Sequence, residues 1–393
     1  MIRFKNVRWS RFLKDVFICS LGAYGGPEAH YGVFTDQLIA KRQYLTEEEL
    51  IELIALTGLL PGPSSTQTIV AIGYKVGGPV LALLTMVVWA LPVLLFMTAC
   101  SFLSQWLDIM NRSEDSLRFI GPMAVGFIII AAFRIGRKVI ADAMTLALFI
   151  FGGAITYLFR YPWVYPVVLI VGGIVSVISS KEKRLLNRVQ THPKWIYLIL
   201  FVLFAIGALL LSLVWNNTLI KLFESFYRYG YLVIGGGQVV VPLMYNELVE
   251  VNRYMSSSEF LTGFGLVQGV PGPMFSFSAY AGGMASRGST VFNQVAGALI
   301  SGVAIFLPGL LLIYFVYPMW EALKSITIVR VSFKGIVAVA AGLIAASAIV
   351  LIQKNGVSLE NSIAMIVTVA VLATKKIPAP ILVLIALLVG FLV

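Results

Sequence analysis

Long apolar stretches alternate with short polar ones along nearly the whole chain. The longest apolar runs occupy residues 79–103, 141–159, 162–179, 195–214 and 291–316, and a bilayer span needs roughly 20 residues. The chain is 59% hydrophobic and only 12% charged, whereas soluble domains carry about 25% charged residues. The pattern predicts an all-α polytopic protein of a lipid bilayer.

The charged residues are clustered, and their clusters predict topology. The net charge is +11, with basic clusters at 1–14 and 181–194 beside apolar runs. Such clusters mark the cytoplasmic face of a membrane protein, so no nucleic-acid partner is expected. The basic N-terminus precedes a short apolar run without a small-residue cleavage site, which predicts a retained segment rather than a signal peptide.

The sequence offers little to an enzyme or a metal centre. Its two cysteines, Cys19 and Cys100, lie in apolar surroundings, and it has only two histidines. The HExxH, GxSxG and phosphate-loop motifs are absent from the sequence,. We therefore expect no catalytic residues, no cofactor and no metal.

The two halves of the chain resemble each other. Aligning 25–73 with 235–283 without a gap gives 11 identities in 49 pairs, among them the Pro-Gly-Pro motifs at 61–63 and 271–273. This predicts a tandem duplication. The first repeat covers residues 1–180, a basic loop and linking helix cover 181–214, and the second repeat covers 215–393.

The linking helix predicts that the second repeat is inverted, because one extra span between equal halves reverses the second half. Charge agrees with this: segments 134–142 and 181–194 are basic, as expected inside, and 246–259 is acidic, as expected outside,. The sequence therefore predicts a cytoplasmic N-terminus and an external C-terminus.

Each half also contains helices broken by glycine and proline. Capping boxes at Thr46 and Ser256 start helices, that end at the Pro-Gly-Pro motifs, and a further arm begins near Ser64. Arms of about 20 Å are too short to cross a hydrocarbon core of about 30 Å, which predicts re-entrant hairpins. The Gly-Gly stretches at 24–32 and 234–242 predict similar hairpins. With nine full spans, the total is about 13 membrane segments.

Broken helices at bilayer depth need a cavity or buried protein surroundings. They are therefore either kinks packed against neighbouring helices or parts of a binding site. Helix N-termini after Pro63 and Pro273 with nearby uncharged donors would suit a small anion that must bind and leave. The candidate substrate-binding residues are Gly25, Gly26, Pro27, Pro61, Gly62, Pro63, Ser64, Ser65, Thr66, Gln67, Gly235, Gly236, Gln238, Pro271, Gly272, Pro273 and Ser276, with Ser278 nearby.

The charged residues near the breaks each allow two interpretations. Glu28 is a proton-coupling group or a helix-capping charge, and His30 is a proton relay or a structural contact. Lys41 and Arg42 attract anions to a cytoplasmic mouth or only mark topology. Lys75 attracts anions or extends its ammonium group toward the membrane surface.

Three motifs resemble those of the chromate ion transporter family in its two-domain, long-chain form. They are Gly-Gly-Pro-Glu-Ala-His at 25–30, Leu-Pro-Gly-Pro at 60–63 and the second Pro-Gly-Pro at 271–273. The resemblance implies antiparallel halves in the bacterial cytoplasmic (inner) membrane, efflux of chromate, chromate resistance, and sulfate as an isosteric competitor. Gly237-Gln238 replaces Pro27-Glu28 in the second half, so the coupling role extends only to the first.

The residues and the resemblance together favour a secondary transporter whose halves rock about a central site. Three alternatives stay open: a channel-like anion pathway, a transporter of another anion such as sulfate, and an intramembrane lipid-phosphate enzyme using Glu28 and His30 as acid and base. The coupling ion is also open, as is assembly into a homodimer.

Overall fold

The structure is a computed structural model that describes residues 7–109, 117–159, 161, 163–180, 193–233, 240–320, 327–356, 358–374 and 376–392. Within these residues it contains α-helices with short π and 3₁₀ turns and no β-strand. Five of the described helical segments are long and apolar enough to cross a membrane, and four shorter helices are apolar too. The prediction of an all-α polytopic membrane protein is confirmed.

The first half of the described chain and the linking helix form eight helices: α1 (Trp9–Gly22), α2 (Pro27–Phe34), α3 (Glu47–Leu59), α4 (Ser64–Ile109), α5 (Ile120–Val139), α6 (Ala143–Leu158), α7 (Val164–Ile178) and α8 (Trp195–Val214). A π-helical turn, Thr35–Ala40, continues α2. Helix α4 is interrupted by non-helical backbone at Gly77 and Gly78. It therefore consists of a short arm and a long apolar helix, as the sequence predicts.

The second half of the described chain forms eight more: α9 (Thr218–Leu232), α10 (Val241–Tyr245), α11 (Ser257–Gln268), α12 (Phe277–Ala285), α13 (Val291–Val316), α14 (Thr327–Asn355), α15 (Leu359–Thr374) and α16 (Ala379–Leu392). A π-helical turn, Asn246–Val251, follows α10. A 3₁₀ turn, Met274–Ser276, precedes α12.

Local backbone features recur in the same order in both halves. Each half has a π-helical turn, Thr35–Ala40 or Asn246–Val251. Each then has a helix started by a complete capping box, at Thr46 or Ser256. The recurrence is what a duplication would produce. The repeat boundaries, the inversion and the number of membrane segments stay predictions.

The first Pro-Gly-Pro motif forms the turn of a helical hairpin. At the turn end, the hydroxyls of Thr57 and Thr68 lie 2.8 Å apart. At the far end, Lys75 Nζ lies 2.7 Å from a Glu49 carboxylate oxygen. Contacts at both ends show that α3 and the short arm of α4 run antiparallel, side by side. The prediction of a hairpin is confirmed here, and its depth in a bilayer stays a prediction.

The chain folds into two compact units, and each draws on both halves of the sequence. The first unit comprises Met1–Cys100, Gln190–Tyr231 and Val270–Leu323. The second unit comprises Ser101–Val189, Leu232–Gly269 and Lys324–Val393. Contacts within each unit therefore join residues that are distant in sequence.

Small residues let helices of the second unit pack closely, as their density in residues 335–348 predicts. A side chain at Gly342 would overlap the carbonyl oxygen of Phe149 in α6. A side chain at Gly335 would overlap that of Gly172 in α7. Such small-residue contacts are typical of helix pairs in membranes, where van der Waals packing drives association.

Helix α8 of the first unit has a different surface. Its most apolar 18-residue stretch has only 6% of its residues buried. Leu203, Leu210 and Leu213 are more than half exposed. An exposed apolar surface of this extent is a membrane-contacting surface in a polytopic protein.

We expect Gly342→Ala to destabilise the second unit by roughly 1–3 kcal/mol, because the added methyl group would force α14 away from α6. Gly207→Ala in α8 is a matched control, since no described atom lies within 4 Å of a side chain built there. Thermal unfolding in detergent would measure both effects. Equal midpoints for the two variants would contradict close packing at Gly342.

Candidate functional site

The Gly-Gly-Pro stretch interrupts the helical conformation between α1 and α2, as predicted. Helix α1 ends at Gly22 and α2 begins with Pro27. Between them, Gly25 and Gly26 adopt φ values of 81° and 98°, a region that side chains disfavour. The corresponding candidates of the second half, Gly235, Gly236 and Gln238, lie outside the described residues.

The first Pro-Gly-Pro turn is held together by Gln67. The Gln67 side-chain nitrogen donates to the carbonyl oxygen of Pro61 at 2.9 Å and lies 3.4 Å from that of Gly309 in α13. Gly62 has a φ of 134°, and a β-carbon there would lie 2.6 Å from the same nitrogen. The amide donors of Gln67 thus close the turn. A direct role for Gln67 in substrate binding stays a prediction.

Predicted candidates from two helices, His30 of α2 and Ser65 and Thr66 of α4, meet around Trp89, which lies further along α4. His30 is 2% exposed, and its Nδ1 lies 3.0 Å from the Ser65 hydroxyl oxygen. The Trp89 ring lies edge-on to His30 at 5.4 Å, and its indole nitrogen donates to the Thr66 hydroxyl at 3.1 Å. Sequence reasoning missed Trp89, because most tryptophans of this chain lie at span ends.

The second Pro-Gly-Pro turn lies against the end of α1, beside the Gly-Gly break. The Gly272 backbone N–H donates to the carbonyl oxygen of Ala23 at 2.7 Å. The Ser20 hydroxyl donates to the carbonyl oxygen of Trp89 at 2.8 Å. The first unit therefore brings the Gly-Gly break and both Pro-Gly-Pro turns into one neighbourhood. We call this group of three breaks the break cluster.

The break cluster contains buried hydroxyls without a hydrogen-bond partner in the described residues. Ser276 and Ser278 are both 0% exposed, and their hydroxyl oxygens have no hydrogen-bond partner within the described chain. Their counterparts in the first half, Thr66 and Thr68, are both hydrogen-bonded. Ser276 and Ser278 thus offer a ligand two donors that α12 places at its start.

The cationic candidates each have a carboxylate partner. Lys41 Nζ lies 2.7 Å from Asp36, and Lys75 is paired with a carboxylate of the hairpin, as described above. Arg42 Nε lies 2.9 Å from Asp15. Their proposed attraction of anions stays a prediction. The side chain of Glu28, the second residue of α2, lies outside the described residues, so its coupling role also stays a prediction.

Comparisons with known proteins decide the family. The model of the family described as "Chromate transporter" matches the chain twice, over residues 11–178 and 220–391. The chain belongs to the chromate transporter family. No solved structure matches it.

Curated members of the chromate transporter family align with almost the whole chain. A "Probable chromate transport protein" of Synechococcus elongatus is 25% identical over 95% of this chain and 93% of its own length. A "Chromate transport protein" of Cupriavidus metallidurans is 24% identical over 93% of this chain and 88% of its own length. A "Chromate transport protein" of Pseudomonas aeruginosa is 25% identical over 88% of this chain and 80% of its own length.

This chromate transporter family member also contains a buried carboxylate that sequence reasoning missed. Asp15 is 0% exposed and accepts hydrogen bonds from Gln37 at 2.8 Å, Arg42 at 3.0 Å and Tyr44 at 2.7 Å. Burial and then the hydrogen bond to Asp15 raise the pKa of Tyr44 to about 12, so this phenol stays a donor even at pH values where a free tyrosine ionises. The available clue was one acidic residue between the basic N-terminal cluster and an apolar run.

We expect Asp15→Asn to destabilise the protein by about 1–3 kcal/mol, because it leaves the Arg42 guanidinium without its buried counter-charge, although Arg42 is itself 30% exposed and partly solvated. Asp36→Asn is the matched control. It breaks the neighbouring Lys41 pair, which is more than half exposed and contributes about 0–1 kcal/mol. Denaturant titration in detergent would compare them, and equal losses would contradict a structural role for Asp15.

Proposed function

We propose that this protein is a secondary transporter that exports chromate across the bacterial cytoplasmic membrane and so confers chromate resistance. The observation that carries the proposal is the break cluster with the buried hydroxyls of Ser276 and Ser278, which have no partner among the described residues. The N-terminus of the short arm of α4, and that of the 3₁₀ turn that leads into α12, present the partial positive charge and the first N–H groups of a helix,. Uncharged donors of this kind suit an oxyanion that must be released again.

The burial of the break cluster favours a carrier over an open channel. Thr66 and Gln67 are each 1% exposed, and Ser276 is not exposed at all. An anion can reach these groups only after the helices around them rearrange. Rocking of inverted repeats is the established way in which broken-helix transporters alternate access.

The substrate follows from the chemistry of the cluster and from the names of the relatives. Three relatives are named for chromate transport. Chromate is a tetrahedral dianion, and sulfate has the same charge and shape. Sulfate should therefore compete for the same donors.

The membrane potential can supply the driving force for export. Moving one charge through 100 mV changes the free energy by about 2.3 kcal/mol. Export of a dianion from a cell that is 100 mV negative inside therefore releases about 4.6 kcal/mol. The phosphate-loop motif of ATP-driven pumps is absent from the sequence,. The positive clusters at 1–14 and 181–194 support the proposed cytoplasmic N-terminus.

We expect inside-out vesicles containing the protein to take up radiolabelled chromate saturably, with inhibition by sulfate. Ser276→Ala should lower uptake roughly 10-fold, since it removes one hydroxyl that would donate a hydrogen bond to the anion. Ser212→Ala is the control, because the Ser212 hydroxyl lies in α8 and donates to the carbonyl oxygen of Leu209. Uptake no higher than in empty vesicles would remove chromate as the substrate.

A second measurement separates carrier from channel. With a carrier, an interior-positive potential in these vesicles should speed uptake, and unlabelled chromate inside should exchange with labelled chromate outside. Flux that rises linearly with chromate concentration and shows no exchange would indicate a channel-like pathway instead.

A further inference from the structure

The second unit contains a small cavity whose lining is mostly apolar but includes several side-chain oxygens. It measures about 20 Å³, which is room for about one water-sized species. Helices α6, α7 and α14 and the π-helical turn after α10 surround it. Its lining residues are Thr156, Tyr165, Pro242, Tyr245, Asn246, Glu250, Ala346, Ser347, Val350 and Leu351.

Two lining hydroxyls can only accept further hydrogen bonds. Thr156 donates its single hydroxyl hydrogen to the carbonyl oxygen of Gly152 at 2.7 Å. Ser347 likewise donates to the carbonyl oxygen of Leu343 at 2.6 Å. A hydroxyl has one hydrogen and two lone pairs. Lone pairs are therefore what these oxygens offer to another partner.

Asn246 adds an acceptor without a partner. Its side chain is buried, with 5% exposed, and its Nδ2 donates to Glu250 Oε2 at 3.2 Å. Because an ionised carboxylate only accepts, the amide must present its nitrogen to Glu250. The Oδ1 atom is left with no hydrogen-bond partner in the described part of the chain. An orphaned acceptor of this kind is costly unless something binds it.

Glu250 supplies one negative charge at the edge of the cavity. Its Oε1 lies 3.1 Å from Lys354 Nζ, and the lysine side chain is 47% exposed. Lys354 can thus turn to solvent when another cation approaches the carboxylate. In the described residues no group of three or more His, Cys, Asp or Glu side chains could hold a metal. Ca²⁺ takes about six to eight oxygen ligands and Mg²⁺ keeps several of its waters, so neither ion suits a few side chains around a space of one water.

We propose that Asn246, Glu250, Thr156 and Ser347 bind one sodium ion in this cavity. All four offer oxygen lone pairs, the ligands that hard cations prefer. The cavity is of the size of one water molecule, which suits Na⁺ better than K⁺. The site goes beyond the proposed anion transport, and its sodium binding can be measured without any substrate.

The test is thermal unfolding of the full-length protein in detergent at constant ionic strength, with NaCl, KCl or choline chloride. A ligand at free concentration L that binds only the folded state stabilises it by RT ln(1 + L/Kd), so the midpoint keeps rising with ligand concentration. We expect the midpoint to rise with Na⁺ concentration in excess of any rise with K⁺ or choline. Equal midpoints in the three salts would overturn the proposal, whatever any variant does.

Matched variants assign the effect to the cavity. Thr156→Val and Ser347→Ala should each weaken the apparent sodium affinity about 10-fold or more. Thr368→Val is the control: Thr368 and Thr156 are both 4% exposed, and Thr368 also donates to a carbonyl oxygen four residues back, but it does not line the cavity. A sodium response that is equally strong in the Thr156 and Thr368 variants would place sodium elsewhere and overturn the assignment.

Discussion

Polar backbone groups exposed by a helix break must find partners inside the protein, since lipid offers none. In this protein those partners come both from the same turn and from distant segments. The Pro61 carbonyl oxygen is bound by Gln67, whose amide also approaches Gly309 of α13. The Gly272 N–H is bound by Ala23. The breaks therefore become stable only when the helices of the first unit assemble, and the requirement to satisfy them gathers them in one place.

The two Pro-Gly-Pro turns have similar backbones but different side-chain chemistry. Around the first turn, Trp89 joins His30 and Thr66 in a hydrogen-bonded and aromatic cluster. When the same alignment is extended, Val240 of the second half aligns with His30, and Leu299 aligns with Trp89. The side chains of the first turn are thus engaged with one another, while the Ser276 and Ser278 hydroxyls of the second turn have no hydrogen-bond partner in the described residues. The proposed binding role of the second turn rests on this difference.

Local chemistry made much of the site predictable. The capping box at Thr46 needs only residues three apart, and the Gly25-Gly26 break needs only glycine's freedom at positive φ. Both are visible in a short window of sequence. Asp15 could be suspected as an acidic residue at the end of the basic cluster 1–14, but its partners Gln37, Arg42 and Tyr44 are 22 to 29 residues away. No local pattern indicates that these side chains converge.

The sequence by itself determined the helical, membrane-embedded class, the positions of the breaks and the family, because hydropathy, capping and glycine or proline chemistry act over a few residues. Only the tertiary structure decided which polar groups are already engaged. It neutralises Arg42 with Asp15, engages the Thr66 hydroxyl, and leaves those of Ser276 and Ser278 unused in the described chain. Hydrogen bonds and ion pairs depend on distances between segments far apart in sequence, and those distances exist only once the helices have packed.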